Sequence, residues 1–259
     1  MVFYFSATGN SMYIARRIEK EPVSIPQAIH EPQRDYYADS IGIVSPIYGH
    51  ELPPMVKEFI KGASFHAEYF YLILTYGNRH GGAAELAKSF CEERGLAPDY
   101  INIILMVDNW LPVFDMEEQL RLDKGVEQRL AEIIGDIRAR RRMISPVTDV
   151  DRDAHQQFLT RMRAQPEDAW QRMLCVTADC VGCGVCARVC PAASIRVVGG
   201  KAVYTPGQCQ TCLACVHACP QRALALTVPE ANPNARYRNE KITLNEIILS
   251  NNQEEMQNE

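Results

Sequence analysis

Short apolar runs alternate with amphipathic segments over residues 1–142. Strands are predicted at residues 2–5, 40–45, 69–75 and 100–106, and residues 69–75 are almost continuously apolar, as in a strand that is covered on both faces. A shorter candidate strand lies at residues 23–25. Apolar residues with helical spacing lie between the runs, at residues 12–20, before Gly62, after Gly82 and at residues 120–142. This alternation predicts an α/β domain, a doubly wound parallel sheet with helices on both faces.

The rest of the chain divides by composition into three parts. Residues 143–174 contain two prolines and many charges, and they predict a linker with one helix around Phe158. Residues 175–230 are rich in cysteine and predict a small second domain. Residues 231–259 predict a tail that is loose at its end, with a short helix where Thr243 and Glu246 have the spacing of a capping box.

The overall composition is that of a soluble globular protein. Of the 259 residues, 47% are hydrophobic and 23% are charged, which argues against a disordered chain. The formal net charge is -5, so we expect no nucleic-acid partner, because nucleic-acid binding needs a basic surface. Arg138 and the arginines at 140–142 are typical of a solvated helix end, although an anionic partner is the alternative. No apolar run approaches the ~18 residues of a membrane span, and residues 2–5 are too few for a signal peptide, so we expect a cytoplasmic protein.

Nine of the ten cysteines lie between Cys175 and Cys219, and eight of these nine form a repeat. The pattern Cys-x-x-Cys-x-x-Cys-x-x-x-Cys-Pro begins at Cys180 and begins again 29 positions later at Cys209. Two duplicated half-modules would produce such a repeat. Between the halves, the apolar segments that flank residues 199–200 (Gly-Gly) predict a β-hairpin.

The spacing of the repeat predicts two [4Fe–4S] clusters. Three closely spaced thiolates hold three corners of a cluster, and the fourth cysteine of each motif ligates the cluster of the other motif. The alternative is structural zinc, which is normally bound by two cysteine pairs separated by a longer insert. We expect Cys91, Cys175 and His217 to bind no cluster, because both sets of four ligands are complete without them. The expected ligands are Cys180, Cys183, Cys186 and Cys219 for one cluster and Cys209, Cys212, Cys215 and Cys190 for the other.

Three loops that follow predicted strands are candidates for a flavin site, because ligands of a parallel sheet bind beyond the carboxyl ends of its strands. The loop at residues 6–11 offers hydroxyl and backbone N–H groups at the start of a helix, which suits one terminal phosphate, although an ordinary N-cap would use the same residues. The loops at residues 46–53 and 75–82 each place a tyrosine beside a glycine, which suits a flat ring, although both tyrosines could simply pack. Asn109 and Trp110 are a further candidate contact. The predicted cofactor-binding residues are Ser6, Thr8, Gly9, Asn10, Ser11, Pro46, Ile47, Tyr48, Gly49, Tyr76, Gly77, Asn78 and Gly81.

Residues 4–11 (YFSATGNS) resemble the FMN phosphate loop of flavodoxins. The segments that begin at Pro46 and Thr75 are similar to the two loops that hold the flavin ring in that family. With the cysteine repeat and residues 236–239 of the tail, nearly the whole chain resembles the flavodoxin–ferredoxin fusion proteins of anaerobic bacteria and archaea. The resemblance implies a flavodoxin-like doubly wound sheet at residues 1–142 that binds FMN, a small α+β ferredoxin-like 2[4Fe–4S] domain at residues 175–230, and electron transfer within the chain.

Together these cofactors predict a converter between two-electron and one-electron chemistry, because a flavin takes two electrons and each cluster carries one. The first hypothesis is an electron carrier without a substrate of its own, whose partner is a redox protein or a small-molecule electron donor or acceptor. The alternative is an FMN-dependent iron–sulfur reductase of a small molecule, with His50, His80 and Tyr76 as candidate proton donors. The sequence contains no second nucleotide-binding fingerprint, so a built-in NAD(P)H site is not expected.

Overall fold

The computed structural model describes residues 1–251, so part of the tail that was expected to be loose, residues 252–259, lies outside the described residues. In chain order, the strands of the described chain are β1 (Val2–Tyr4), β2 (Val23–Ser24), β3 (Asp35–Tyr37), β4 (Ser40–Pro46), β5 (Ser64–His66), β6 (Tyr69–Tyr76), β7 (Tyr100–Leu105), β8 (Met143–Ile144), β9 (Leu174–Val176), β10 (Ile195–Val198), β11 (Lys201–Tyr204) and β12 (Leu224–Leu226). The helices are α1 (Asn10–Ile18), α2 (Ile25–Ala28), α3 (Pro54–Gly62), α4 (Ala83–Glu92), α5 (Met116–Arg121), α6 (Val126–Arg138), α7 (Asp149–Arg163), α8 (Val185–Arg188), α9 (Ala214–Ala218) and α10 (Leu244–Asn251), with a 3-10 helix at Gln171–Met173. Over residues 1–251, no helix combines the length and the apolar character that crossing a membrane requires.

The described chain forms two compact units that are interleaved along the sequence. The first unit consists of Met1–Ser6, Asn10–Val107 and Asp123–Met162. The second consists of Ala7–Gly9, Asp108–Leu122 and the chain from Arg163 onward. Composition alone divides the chain into consecutive blocks, because it gives no sign that residues 7–9 and 108–122 pack with a distant segment.

A parallel sheet forms the centre of the first unit, as the sequence predicts. Within residues 1–251 it has six strands in the order β2-β1-β4-β6-β7-β8, and neighbouring strands are parallel. The four apolar runs of the sequence become β1, β4, β6 and β7, and the shorter candidate becomes β2. Burial is complete at Phe3, Ile43, Leu72 and Ile101, one residue in each of the four long runs.

The order of the strands creates a switch point at the carboxyl edge of this sheet. Counted without the separate pair β3 and β5, the strands stand in the order 2-1-3-4-5-6. The chain therefore forms β2 on one side of β1 and then crosses β1 to form β4 on its other side. Loops that follow β1 and β4 diverge at such a point and leave a crevice between them.

A close approach between two strands explains one glycine of the core. Gly42 of β4 is the register partner of Tyr71 of β6. The Tyr71 ring lies across the glycine, since a Cβ at Gly42 would come within 2.2 Å of Tyr71 Cζ. The missing side chain thus makes room for a tyrosine that is only 2% exposed.

The prediction of one long helix at residues 120–142 is wrong in the extent of the helix. The structure has two helices there, α5 and α6, which are separated at residues 122–125. Gly125 precedes α6 in the left-handed conformation, with a φ of 60°. Leu122, which contributed to the apolar periodicity, is 52% exposed.

Residues 143–174, expected to be a linker with one helix, contribute to both secondary structure and packing. Strand β8 extends the main sheet beside β7, and α7 is 15 residues long. A capping box begins α7, because the Thr148 N–H donates to Asp151 Oδ2 at 3.0 Å and the Asp151 N–H donates to Thr148 Oγ1 at 3.3 Å.

The strands of the second unit form two antiparallel pairs, β10 with β11 and β9 with β12. The first pair is the hairpin that the sequence predicts between the cysteine motifs. The helix predicted in the tail is confirmed as α10. Its capping box is formed, because the Thr243 N–H donates to Glu246 Oε2 at 2.6 Å and the Glu246 N–H donates to Thr243 Oγ1 at 3.3 Å.

Candidate metal centre and cofactor loops

Two cavities of the second unit each bring together three cysteines of one motif and the fourth cysteine of the other. Cavity 1 has among its lining residues Cys180, Cys183, Cys186 and Cys219. Cavity 2 has among its lining residues Cys190, Cys209, Cys212 and Cys215. Over residues 1–251, no three His, Cys, Asp or Glu side chains are grouped so as to hold a single metal ion.

The two motifs have the same backbone conformation. Residues with positive φ recur at the 29-residue interval of the cysteines, in the pairs Gly182 (68°) and Thr211 (53°), Gly184 (74°) and Leu213 (59°), and Ala193 (48°) and Arg222 (52°). The middle pair immediately precedes α8 and α9, which carry Cys186 and Cys215. A non-glycine residue in this region costs ~1–3 kcal/mol, so the loops keep a strained shape that their surroundings must enforce.

Backbone N–H groups donate to the sulfur atoms of both motifs. The last cysteine of each motif accepts from the residue four positions later, Ser194 to Cys190 Sγ at 3.3 Å and Ala223 to Cys219 Sγ at 3.2 Å. The first cysteine of each motif also accepts one bond, from Ala202 for Cys180 and from Thr211 for Cys209, both at 3.3 Å. Such bonds stabilise negative charge on sulfur, and they tune the reduction potential of a bound cluster.

The pKa values of these thiols indicate what kind of group the cavities can hold. Burial raises the pKa of Cys186 to about 11 and raises the pKa of Cys215 well above its usual value. Neighbouring thiols raise both values further, because thiolates at short range repel one another. Four thiolates in one cavity therefore require positive charge between them. The iron ions of a [4Fe–4S] cluster supply that charge, and the donor set of each cavity fits such a cluster.

The two cavities differ in their exposure to solvent. Cys183 of cavity 1 is exposed. Cys212 and Cys215 of cavity 2 are buried, and its other two cysteines are half-buried. Cavity 1 is therefore the cavity with the more exposed cysteine.

The two remaining cysteines line neither cavity. Cys91 is fully buried in α4, and burial raises its pKa to about 12, as expected of a packed thiol. Cys175 lies in β9, where its register partner is Ala225 of β12.

His217, which is also outside both cavities, connects two other segments of the second unit to the second cysteine motif. Its Nε2 donates to the backbone oxygen of Asn109 at 2.9 Å, and its Nδ1 accepts from the Tyr237 N–H at 3.0 Å. This arrangement requires the neutral ring with its proton on Nε2. Burial favours that form, because it lowers the pKa of His217 to about 4. The side chain is therefore a structural bridge between residue 109, the tail and α9.

The same unit contains the middle of the first predicted flavin loop. Asn109 Nδ2 donates to Thr8 Oγ1 at 2.9 Å, and Thr8 O accepts from the Asn239 N–H at 2.8 Å. Gly9 has a φ of 99°, and a Cβ there would lie 3.0 Å from Ile242 Cβ. The tail thus packs against residues 8–9, and the hydrogen bonds of Asn109 link them to His217. Trp110, the other candidate after the last strand, packs edge-on against Trp170 at 5.3 Å.

The remaining residues of that loop lie in the first unit. Ser6 and Ser11 are 2% and 1% exposed. Ser11 Oγ shares a hydrogen bond of 2.9 Å with Thr75 Oγ1, at the start of the third predicted loop. Asn10 Nδ2 donates to Val107 O at 3.0 Å. The hydroxyls that the sequence assigns to a phosphate are therefore partly engaged within the protein.

The second and third predicted loops contact each other at the carboxyl ends of β4 and β6. The Ile47 N–H donates to Thr75 O at 3.1 Å. Gly81 is packed against His50, since a Cβ there would lie 2.2 Å from His50 Cγ. The other predicted contacts are half-buried or exposed: half-buried Pro46, Tyr48, Tyr76 and Gly77, and exposed Gly49 and Asn78.

Helix α7 packs against both of these loops, which the sequence analysis did not predict. The Phe158 ring approaches Gly49 so closely that a Cβ there would lie 2.7 Å from it. His155 Nδ1 lies 3.4 Å from His50 Nδ1, and Asp151 Oδ1 lies 3.3 Å from His80 Nε2. Burial lowers the pKa of His50 to about 4, and nearby basic side chains contribute to this shift. Phe158 was the expected centre of this helix, but nothing in the spacing of its sequence pointed to these contacts.

Comparison with known proteins identifies the cysteine region. Residues 172–220 match the family described as a 4Fe-4S dicluster domain. A 47-residue segment is 45% identical to one subunit of the ion-translocating oxidoreductase complex of Methanosarcina acetivorans, and it covers 18% of this chain and 18% of that relative. The chain thus spans less than a fifth of the length of the relative that it matches. The C-terminal part of the chain contains an iron–sulfur electron-transfer domain.

Proposed function

We propose that this protein is an electron carrier that uses two [4Fe–4S] clusters and one FMN. The observation that carries the proposal is the crossed grouping of the cysteines. Each cavity has three thiols of one motif and one thiol of the other, as two clusters with exchanged fourth ligands require. In this proposal Cys219 completes the cluster of cavity 1 and Cys190 completes the cluster of cavity 2.

The FMN part of the proposal rests on the first unit and on the loop sequences. The strand order 2-1-3-4-5, with β8 added at the edge, is the order of flavodoxin-like sheets, in which FMN binds at the switch point. The loops after β1, β4 and β6 lie at the carboxyl ends of these strands. We propose that residues 6–11 hold the phosphate and that residues 46–49 and 76–81 lie beside the ring. A flavin ring can bind beside these loops only if the side chain of Phe158 or His50 moves, since both side chains pack on the loops.

When bound, a cluster exchanges single electrons and FMN exchanges one or two, so the chain would connect the two kinds of chemistry. The protein's own contribution is to exclude water and to fix charge. The N–H donors to Cys180, Cys190, Cys209 and Cys219 stabilise the anionic sulfurs of the sites. The bridge through His217 holds α9 in place.

The state of His50 favours the carrier over a small-molecule reductase. With a pKa of about 4, His50 is neutral at pH 7 and is a poor proton donor. We therefore propose a redox protein as the partner, in agreement with the similarity to a subunit of an oxidoreductase complex. We propose the cytoplasm as its location, because thiols of this kind persist in a reducing compartment.

An anaerobic reductive titration tests the proposal. The protein is purified without oxygen, the released nucleotide is identified by chromatography, and dithionite is added in measured steps. With two clusters and one FMN, the chain takes up about four electrons, and without FMN it takes up about two. An uptake of about two electrons with no released FMN would contradict the flavin half. No uptake in iron-replete protein would contradict the whole proposal.

A further inference from the structure

The outer face of the β10–β11 hairpin combines apolar and basic side chains. In the register of the hairpin, Arg196 pairs with Val203 and Val198 pairs with Lys201. Because side chains alternate along a strand, these four residues share one face, which we call the hairpin face. Val198 is 61% exposed and Val203 is 47% exposed, and both basic residues are exposed as well.

The hairpin is fixed to the loop that carries the first cysteines of cavity 1. Lys201 Nζ donates to Ala178 O at 3.0 Å and also to Cys180 O. Gly182 lies against the turn of the hairpin, since a Cβ there would come within 2.2 Å of Gly200 O. Exposed Val181, at 62%, and exposed Cys183 belong to the same loop. The hairpin face is therefore held beside the more exposed of the two cavities.

The charge of the hairpin face is opposite to that of the whole chain. The formal net charge of the protein is -5. The hairpin face contains two basic side chains, Arg196 and Lys201, and no carboxylate. A basic face on an acidic protein attracts an acidic partner and repels a basic one.

We propose that the hairpin face, together with the exposed loop at Val181, docks an acidic redox protein. The inference rests on the proposed function above and names the class of partner that this function requires. Transient electron-transfer contacts are small, often below ~1,200 Å², so a single hairpin and one loop are sufficient. Arginine and apolar residues are the types expected at the centre of such a contact. One electron passes from the partner to this protein at the side of cavity 1. No bond is formed or broken, and no proton is transferred.

Binding of a defined probe tests the inference. The probe is an acidic plant-type [2Fe–2S] ferredoxin in its oxidised form, so that binding is measured by titration calorimetry without electron transfer. Its Kd for the iron-replete protein should weaken as salt rises, because exposed charges are screened. Arg196→Glu should weaken binding at least about tenfold, since an attraction becomes a repulsion. Val198→Ser should also weaken it, whereas Arg138→Glu, which changes the net charge equally on an exposed helix end, should change it less than about twofold.

The outcomes separate this inference from the proposed function. Iron and sulfide are measured in every sample, and wild-type protein without them would overturn the proposed function and the inference together. In iron-replete protein, equal effects of Arg196→Glu and Arg138→Glu would overturn the docking face alone, as would Kd values that do not depend on salt. Binding to anionic phospholipid vesicles or to a second copy of the chain, with no binding of the ferredoxin, would also overturn it. The salt-dependent loss confined to Arg196→Glu and Val198→Ser would support it.

Discussion

Replacement of His217 by alanine provides a local test of how the second unit is held together. The histidine is the acceptor for the Tyr237 N–H and the donor to Asn109 O, at 3.0 and 2.9 Å. His217→Ala removes both bonds and leaves two backbone groups without this partner. A backbone group that loses its partner inside a protein costs ~1–3 kcal/mol, so with two such groups we expect the second unit to lose ~2–6 kcal/mol of stability.

Hydrogen exchange measures this effect without requiring reversible unfolding of a cluster protein. A loss of ~1–3 kcal/mol at the Tyr237 N–H corresponds to about 5- to 150-fold faster exchange. We expect this increase in peptides that cover residues 230–243, in protein whose iron content equals that of the wild type. His30→Ala, at an exposed histidine, serves as the control and should change exchange less than about twofold. Unchanged exchange at Tyr237 in His217→Ala would refute the bridge.

Three further predictions concern the clusters, the pH dependence and the sheet. Cys219→Ser should lower the iron content from about eight to about four per chain and remove the same spectroscopic species as Cys183→Ser; loss of the species that Cys209→Ser removes would argue against crossed ligation. The pKa of His50 is about 4 in the folded protein and 6.5 ordinarily. As the pH falls, His50 of the unfolded protein therefore binds a proton before His50 of the folded protein does. Stability should therefore fall as the pH drops from 6.5 to 4, by up to about 1.4 kcal/mol per pH unit, and thermal melting of His50→Gln should show a flatter pH profile. An equal slope in that variant would contradict the assignment. Gly42→Ala should lower the melting temperature, because the new Cβ forces the Tyr71 ring to move at a cost of ~1–3 kcal/mol. Gly135→Ala, where a Cβ meets nothing within 4 Å, should raise the melting temperature. Equal destabilisation by both substitutions would rule out this explanation.

The features that could be predicted from sequence depend on local patterns. Four strands of the central sheet come from mostly apolar runs, and each of these runs became a strand because a sheet covered on both faces can bury it. The hairpin between the motifs follows from apolar segments around Gly199 and Gly200. The ligand spacing of the cysteines is equally local, which is why the groups that the sequence paired are the groups that line the two cavities.

The features that could not be predicted depend on contacts between distant segments. The hydrogen bond from the Asn239 N–H to Thr8 O joins residues 231 positions apart, and no local sequence pattern at either residue indicates it. The packing of Phe158 against Gly49 is similar, because a helix with mixed composition gives no sign of the loop that it covers. The break before α6 was missed for a different reason, since the apolar period continued through Leu122 although that side chain is exposed.

We propose that eight cysteines of the second unit hold two [4Fe–4S] clusters, and the direct measurement is the metal and sulfide content of protein purified without oxygen. Iron, acid-labile sulfide and zinc are determined per chain, with Mössbauer spectra of iron-57 protein to identify the cluster type. We expect about eight iron and about eight sulfide per chain, with the spectra of [4Fe–4S] clusters. About two zinc ions per chain without sulfide would contradict it.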